Sequence, residues 1–273
     1  MTTEPISLVI CGAAGRMGRR IVALATDDAR FRVAGAVEAP GHPAIGADVG
    51  ETAGVGRLGV SIGQDLASVA SPAATIIDFT AAEASIVHLR IASAAKAPIV
   101  VGSTGFTSAQ RAEALKLSGA MPTLIAPNMS LGVNVLLSLV EDAVERLGPS
   151  FDCEIFEVHH GRKKDSPSGT ALALAESAAR AAGLDPATAI RASREGMVGE
   201  RPPREIGVFG LRGGDVVGDH TVMLLGAGER LELTHRASSR DCLATGALSA
   251  AAWLRGRQAG LYSMRDVVRE RSR

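Results

Sequence analysis

The first ordered pattern in the chain is an apolar run that ends on a glycine turn. Ile6–Cys11 is apolar at every position but Ser7, Gly12-Ala13-Ala14-Gly15-Arg16-Met17-Gly18 follows at once, and Arg16–Thr26 then places apolar residues at Met17, Ile21, Val22, Leu24 and Ala25. A short apolar run of this kind reads as a strand buried on both faces, and the later spacing is helical. A strand that turns this tightly into a helix needs residues without Cβ, so that backbone N–H groups can approach a pyrophosphate at the helix N-terminus. The spacing G-x-x-G-x-x-G is one residue longer than the usual dinucleotide turn, and an ordinary β–α turn would use glycines too. Glu38 weighs against the ordinary turn. It ends the second strand, Phe31–Val37, about 20 residues past the last glycine, where an acid binds ribose hydroxyls. Gly12, Ala13, Ala14, Gly15, Arg16, Met17 and Glu38 are therefore candidate dinucleotide contacts.

The alternation continues. Thr75–Phe79, Ile99–Val101 and Thr123–Ala126 read as strands, and Ala82–Lys96 and Ser108–Leu117 as helices. Strands alternating with helices imply an α/β domain, a Rossmann-like parallel sheet with helices on both faces. Gly102-Ser103-Thr104-Gly105 and Ala126-Pro127-Asn128-Met129 follow two of these strands, at the carboxyl ends where open sheets bind ligands. The pattern changes near Asn128. Leu131–Leu147 is a long amphipathic helix, Cys153–His159 a strand and Ser168–Ala182 an Ala-rich helix. Ile206–Leu211, Val216–Leu225 and Arg230–Ala237 are strands without helices between them, with Gly-rich turns at 213–214 and 226–228. This reads as an open, largely antiparallel sheet in a second domain of α+β type. Asp241–Leu254 is helical again and is placed to return to the first domain.

Composition narrows the function. Lys+Arg and Asp+Glu both number 29, and hydrophobic residues make up 46%. A general nucleic-acid binder usually carries a basic excess, so none is expected. Nor is a membrane span, because no apolar run is long enough. Cys11, Cys153 and Cys242 are far apart and form no C-x-x-C pair, which argues against a disulfide framework or a zinc site. The start MTTEPISLVICG lacks a basic segment followed by a long apolar one. The expectation is a cytoplasmic protein.

The densest chemistry lies between Glu157 and Thr170. His159, His160, Arg162, Lys163 and Lys164 fall within six residues of an otherwise neutral chain that has only four lysines. Ser168-Gly169-Thr170 can cap the following helix and offer N–H groups to an anion. A solvated basic loop is the plain reading. A metal is disfavoured, since adjacent histidines diverge and no Cys partner lies close by. A pocket for a small carboxylate substrate suits the residues better: His exchanges protons near neutrality, and Lys supplies a proton or a fixed charge.

Taken in order, these residues resemble the 4-hydroxy-tetrahydrodipicolinate reductase (dihydrodipicolinate reductase) family of bacterial lysine and diaminopimelate synthesis. The most specific stretch is EVHHGRKKDSPSGTA (Glu157–Ala171). GAAGRMGR (Gly12–Arg19), DFT (Asp78–Thr80), GSTG (Gly102–Gly105), PNMSLGVN (Pro127–Asn134), SREGMVGER (Ser193–Arg201), GGDVVGDHTV (Gly213–Val222) and GERLELTHRASSR (Gly228–Arg240) support it. The resemblance implies hydride transfer from a reduced nicotinamide to a cyclic imine dicarboxylate, with loss of water. It implies that His159 is the general acid/base and Lys163 the proton donor. Thr104, His160, Lys163, Ser168, Gly169 and Thr170 would hold the substrate carboxylates. Cofactor contacts would extend to Gly102, Ser103, Thr104, Ala126, Pro127, Asn128 and Met129. It further implies a dinucleotide domain over 1–130 plus 240–273, a substrate and assembly domain over 131–239 containing an open mixed sheet, and a homotetramer.

One departure concerns the cofactor. Some members carry Arg directly after the ribose-binding acid, to pair with the 2′-phosphate of NADPH; here that residue is Ala39. NADH is therefore the expected preference, with NADPH as the weaker cofactor and Arg16 as its one candidate partner. Two other readings compete. Another two-domain NAD(P)-dependent dehydrogenase of the aldehyde-oxidising kind needs a thiol nucleophile, and Cys153 is poorly placed for that. A non-catalytic NAD(H)-binding sensor would not need His159 and Lys163 together.

Overall fold

The computed structural model describes residues 4–270. Residues 1–3, the start of the segment read for a targeting leader, and residues 271–273 lie outside the described residues. The chain divides into two compact units: one runs to Leu131 and resumes at Asp241, and the other is Gly132–Arg240.

The first unit opens with β1 (Ile6–Cys11), α1 (Arg16–Thr26) and β2 (Phe31–Val37), followed by α2 (Val49–Ala53), β3 (Ile62–Gly63), β4 (Ala74–Asp78), α3 (Ala82–Ala95), β5 (Ile99–Val101), α4 (Ser108–Leu117) and β6 (Pro122–Ile125). Residues 39–61, for which the sequence predicts no element, are organised by one carboxylate. Asp48 caps α2 and accepts N–H bonds from Gly50, Glu51, Leu58 and Gly59 at 2.7–3.2 Å. These backbone donors, the bond from Leu58 first, hold its pKa down at about 2. A helix of five residues has no apolar period to read, which is why this segment escapes pattern analysis.

The second unit contains α5 (Leu131–Leu147, entered from the first unit), β7 (Asp152–His159), α6 (Gly169–Ala181), α7 (Pro186–Ala189), β8 (Ile190–Arg191), β9 (Ile206–Arg212), β10 (Gly218–Gly226) and β11 (Glu229–Ala237). Its sheet runs β11-β10-β7-β9-β8. The expected largely antiparallel pairing holds only on one side. β10 is antiparallel to β7 and β11, but β9 is parallel to β7, in register from Cys153↔Ile206 to His159↔Arg212. The reason is that β9 and β10, consecutive in sequence, are not neighbours. β7 sits between them, and the crossover through α6 returns the chain parallel to it, so the sheet is mixed.

Along β7 the side chains alternate strictly, and one face changes character along its length. Cys153 and Ile155, with Ile206, Val208, Val222 and Leu224 of the flanking strands, pack under Leu136 and Val140 of α5 and Leu174, Ala175 and Ala178 of α6. Two residues further on, the same face carries Glu157 and His159, flanked by Gly210 and Arg212 on β9 and by His220 and Gly218 on β10. The opposite face is left partly exposed at Phe156, Val158 and Met223, and Leu211 there is 54% exposed.

The chain then completes the first unit with α8 (Asp241–Leu254), β12 (Gly260–Tyr262) and α9 (Met264–Glu270). The last two follow a Gly-containing turn and carry too few apolar residues to be predicted. The first sheet is parallel throughout the described residues, in the order β12-β6-β5-β4-β1-β2-β3. Leu8 and Ile10 of β1 pack toward α1 and α8, whereas Val9 and Cys11 pack toward α3 and α4. Burial on both faces is what an unbroken apolar strand requires. The strand order runs outward in both directions from β1, so the switch point lies between β1 and β4, where such sheets open a crevice for ligand.

Candidate active site

In the first unit the glycine turn closes beside that switch point. Gly12 has φ +75°, and a Cβ there would lie 3.1 Å from the Thr80 methyl, just past the end of β4. Gly18 permits the closest approach: a Cβ would fall 2.1 Å from the Gly12 carbonyl oxygen. The α1 N-terminus begins at Gly15 with no side-chain cap and no acid in its first turn, so its N–H groups and dipole suit a diphosphate. Glu38 comes to the same turn, where its Oε1 accepts from the Ala14 N–H at 2.7 Å and Oε2 from Ala39 at 3.3 Å. Arg16 and Ala39 are exposed, and Met17 is half-buried. Gly102 meets the Phe79 ring so closely that a Cβ would sit 2.4 Å from it. Ser103 is buried and accepts from Ser85 Oγ at 2.8 Å, while Thr104 is exposed. In the last loop Ala126 and Met129 are buried, Pro127 is exposed, and Asn128 Oδ1 accepts from Ser130 N–H. The turn, the acid and both loops thus lie at carboxyl ends of strands in one unit, and they fit a dinucleotide.

In the second unit His159 ends β7 with its ring fixed. Its Nδ1 is 2.5 Å from Glu157 Oε2, and its ring meets the His220 ring edge-on at 5.2 Å. Its Nε2 lies over Gly218, where a Cβ would be 2.9 Å away. Glu157 is fully buried. Arg212 grips both of its oxygens, at 2.8 and 2.9 Å, and the Ser168 N–H donates to Oε1 at 3.0 Å. Burial raises the Glu157 pKa, but the Arg212, His159 and Ser168 bonds outweigh it and leave the carboxyl below its ordinary value. A further Arg212 bond, Nη2 to the Asp165 carbonyl at 2.6 Å, ties the loop down.

Lys163 follows in that loop, its Nζ 2.9 Å from Asp165 Oδ1. Asp165 is largely exposed, and such a pair is worth at most about 1 kcal/mol, weak enough for another anion to replace. Burial and the neighbouring Arg162 and Arg240 charges lower the His160 pKa. The shift favours the neutral imidazole, and its buried Nδ1 has no hydrogen-bond partner among the described residues. Ser168 is buried as the cap of α6: its Oγ accepts from Ala171 N–H at 3.2 Å and lies 3.1 Å from His220 Nε2. Gly169 is exposed in the first helical turn, with Thr170 half-buried behind it. Burial pushes the His220 pKa down to about 4, keeping its imidazole neutral.

Arg212 and His220 reach the site from strands whose partners the sequence does not disclose, so their place in it is not legible from the motifs alone. The same holds for Asp78 as a framework residue. Fully buried, it accepts from Thr80 N–H and Oγ and lies 2.9 Å from His88 Nδ1, bracing the loop beside Gly12. Cys153 lies at the far end of β7 from His159, and burial pushes its thiol up to about 12, so it supplies no thiolate for aldehyde chemistry. Among the described residues no group of three or more His, Cys, Asp or Glu could hold a metal, and no helix is long and apolar enough to cross a membrane.

Comparison with known proteins places these features in one lineage. The family model described as "Dihydrodipicolinate reductase, N-terminus" matches residues 6–129, and the one described as "Dihydrodipicolinate reductase, C-terminus" matches residues 132–268. A 4-hydroxy-tetrahydrodipicolinate reductase of Trichlorobacter lovleyi is 49% identical over 263 residues, 96% of this chain and 98% of the relative. Another, of Anaeromyxobacter dehalogenans, is 50% identical over 261 residues, 96% and 97% of the two chains. Among solved structures, a dipicolinate-bound dihydrodipicolinate reductase from Paenisporosarcina sp. TG-14 shares the fold with TM-score 0.76 at 19% identity, covering 95% of this chain and 97% of that one.

Proposed function

The chain belongs to the dihydrodipicolinate reductase family, and from that premise we propose that it reduces 4-hydroxy-tetrahydrodipicolinate to tetrahydrodipicolinate, with loss of water, using a reduced nicotinamide dinucleotide. The observation that carries the reading is the β7 terminus: an imidazole anchored through Nδ1, a lysine in the next loop and an exposed helix start at Gly169, all in one unit. The first unit holds the cofactor through Gly12–Met17, Glu38, Gly102–Thr104 and Ala126–Met129. When bound, that cofactor supplies the hydride. The second unit holds the dianionic substrate. Lys163 and the N–H groups at Gly169 and Thr170 take the carboxylates, with the His160 ring as a further polar contact, and Ser168 sets the helix start they depend on. Fixed cations and dipoles stabilise the negative charge left on the ring as it is reduced. His159 and Lys163 then exchange the protons that complete the step. Three cysteines without a disulfide suit a cytoplasmic setting.

NADH is the preferred cofactor. Glu38 repels a 2′-phosphate, and the adjacent Ala39 supplies no cation to offset it. Loss of NADH absorbance with enzymatically generated substrate tests reaction and cofactor together. The expected result is turnover with kcat/KM at least about tenfold higher for NADH, roughly 1.4 kcal/mol of discrimination. Equal efficiency or an NADPH preference would refute the cofactor assignment. No turnover with tight NADH binding would instead make the protein a sensor.

The assembly is a homotetramer built through the partly exposed sheet face at Phe156, Val158, Leu211 and Met223, next to the outer edge of β11. Light scattering on the purified protein is expected to give four times the 28.0 kDa chain mass, and a monomer at micromolar concentration would exclude it.

A further inference from the structure

His159 is held by a group that does not itself face substrate. Glu157 is completely buried, and its four close donors are the His159 ring, the Ser168 N–H and the two Arg212 nitrogens. A carboxylate accepts and never donates when ionised, so the His159 nitrogen that faces it carries the hydrogen. Arg212 is positioned as deliberately as the acid. It occupies the β9 register position beside His159, and Gly210 opens the space for the fork, since a Cβ there would meet Ser166 Oγ at 2.3 Å and Glu157 Oε1 at 2.8 Å.

Resting on the reductase reading above, we propose that Glu157 and Arg212 are paired positioning residues for His159. The carboxylate holds the imidazole as the Nδ1–H tautomer and leaves Nε2, over Gly218, to exchange the proton. The guanidinium binds both carboxylate oxygens and fixes the acid in place, so the anchor does not swing away from the ring. The other charged and titratable groups around the ring are Lys163 and His160 in the following loop and His220 on β10. His220 is kept neutral by burial, so it forms a wall and does not compete for the proton.

The pairing predicts different effects of its two members on one ring. In Glu157→Gln the new amide must direct its oxygen at Ser168 N–H and one Arg212 nitrogen, which turns its NH2 toward His159 Nδ1. The ring then becomes the Nε2–H tautomer. In Arg212→Met the carboxylate stays and still accepts from the ring, but it loses the fork that fixes it. Nitrogen-15 NMR of the full-length protein reads the tautomer. The wild type is expected to show Nδ1–H. E157Q should show Nε2–H and kcat reduced about 10²-fold with KM for substrate nearly unchanged. R212M should keep Nδ1–H.

Each single variant leaves a buried charge unpaired, which can prevent folding. The double variant E157Q/R212M removes both charges and keeps the tautomer test. It should show Nε2–H and a kcat as low as that of E157Q. An Nε2–H ring in the wild type or in R212M, an Nδ1–H ring in either E157Q protein, or wild-type kcat in either E157Q protein would overturn the proposal. A wild type that folds but does not turn over substrate would overturn the reductase reading and leave the NMR results to judge the pairing.

Discussion

His159→Gln lowers kcat by about 10²–10⁴-fold, the range expected when a positioned acid/base group is lost, and Lys163→Ala lowers it comparably. The argument is one of protons. Glutamine at 159 can still donate an N–H toward Glu157, so the strand end and the Arg212 fork remain in place, but an amide does not exchange a proton near neutrality. Alanine at 163 removes that residue's ammonium, leaving Lys164 in place, and costs the fold only the Asp165 pair, worth at most about 1 kcal/mol. Both variants should melt within a few degrees of the wild type. Steady-state loss of NADH absorbance, with the melting temperature measured alongside, separates chemistry from folding. Wild-type turnover in either single variant removes that residue from the mechanism.

Gly18→Ala is the largest expected effect in the first unit. A methyl group at this position would overlap the Gly12 carbonyl at 2.1 Å and the Ala13 Cα at 2.7 Å. These are backbone atoms of the turn itself, so no side-chain rotation relieves the overlap. Either α1 lifts away from β1 or the turn opens. Overpacking of this kind typically costs about 1–3 kcal/mol and sometimes more, and here it also spoils the N–H array at the helix start. Binding of NADH, followed by energy transfer from Trp253 or by calorimetry, should weaken by at least about 10²-fold, roughly 2.7 kcal/mol, with a clearly lowered melting temperature. Unchanged affinity would mean that the glycine turn does not hold the cofactor.

What the sequence makes legible follows from how local each signal is. β1, α1 and β2 are readable because a buried parallel strand is written as a solid apolar run and α1 as a 3.6-residue stripe, with the glycine turn between them. α2, β3 and β8 are two to five residues long, too short for any period, and the chain around α2 and β3 is shaped by Asp48 binding backbone atoms. The pairing of β9 with β7 is a tertiary choice: each strand has a plausible pattern alone, and only register shows that they are parallel. The same distinction divides the site. His159, His160 and Lys163 are neighbours in sequence and advertise themselves. Glu157 lies within the same motif, yet its role emerges only when Arg212, 55 residues later, and the His220 ring, 61 residues after His159, arrive from β9 and β10. An arginine at a strand end has no local mark that distinguishes it from one on the surface.

The connectivity of the two units has a consequence for synthesis. The core of the first unit is finished by Ala244, Ala247, Leu248, Ala251 and Leu254 of α8, and its sheet is closed at one edge by β12. On the ribosome, the intervening Gly132–Arg240 segment is therefore complete while the nucleotide-binding half still lacks one wall. The early β–α–β segment must wait, with Ile10 and Val22 uncovered on that side, until the last stretch of chain emerges. The unit that begins first is the one that matures last, and a chaperone attending the nascent chain would find its greasy surface there.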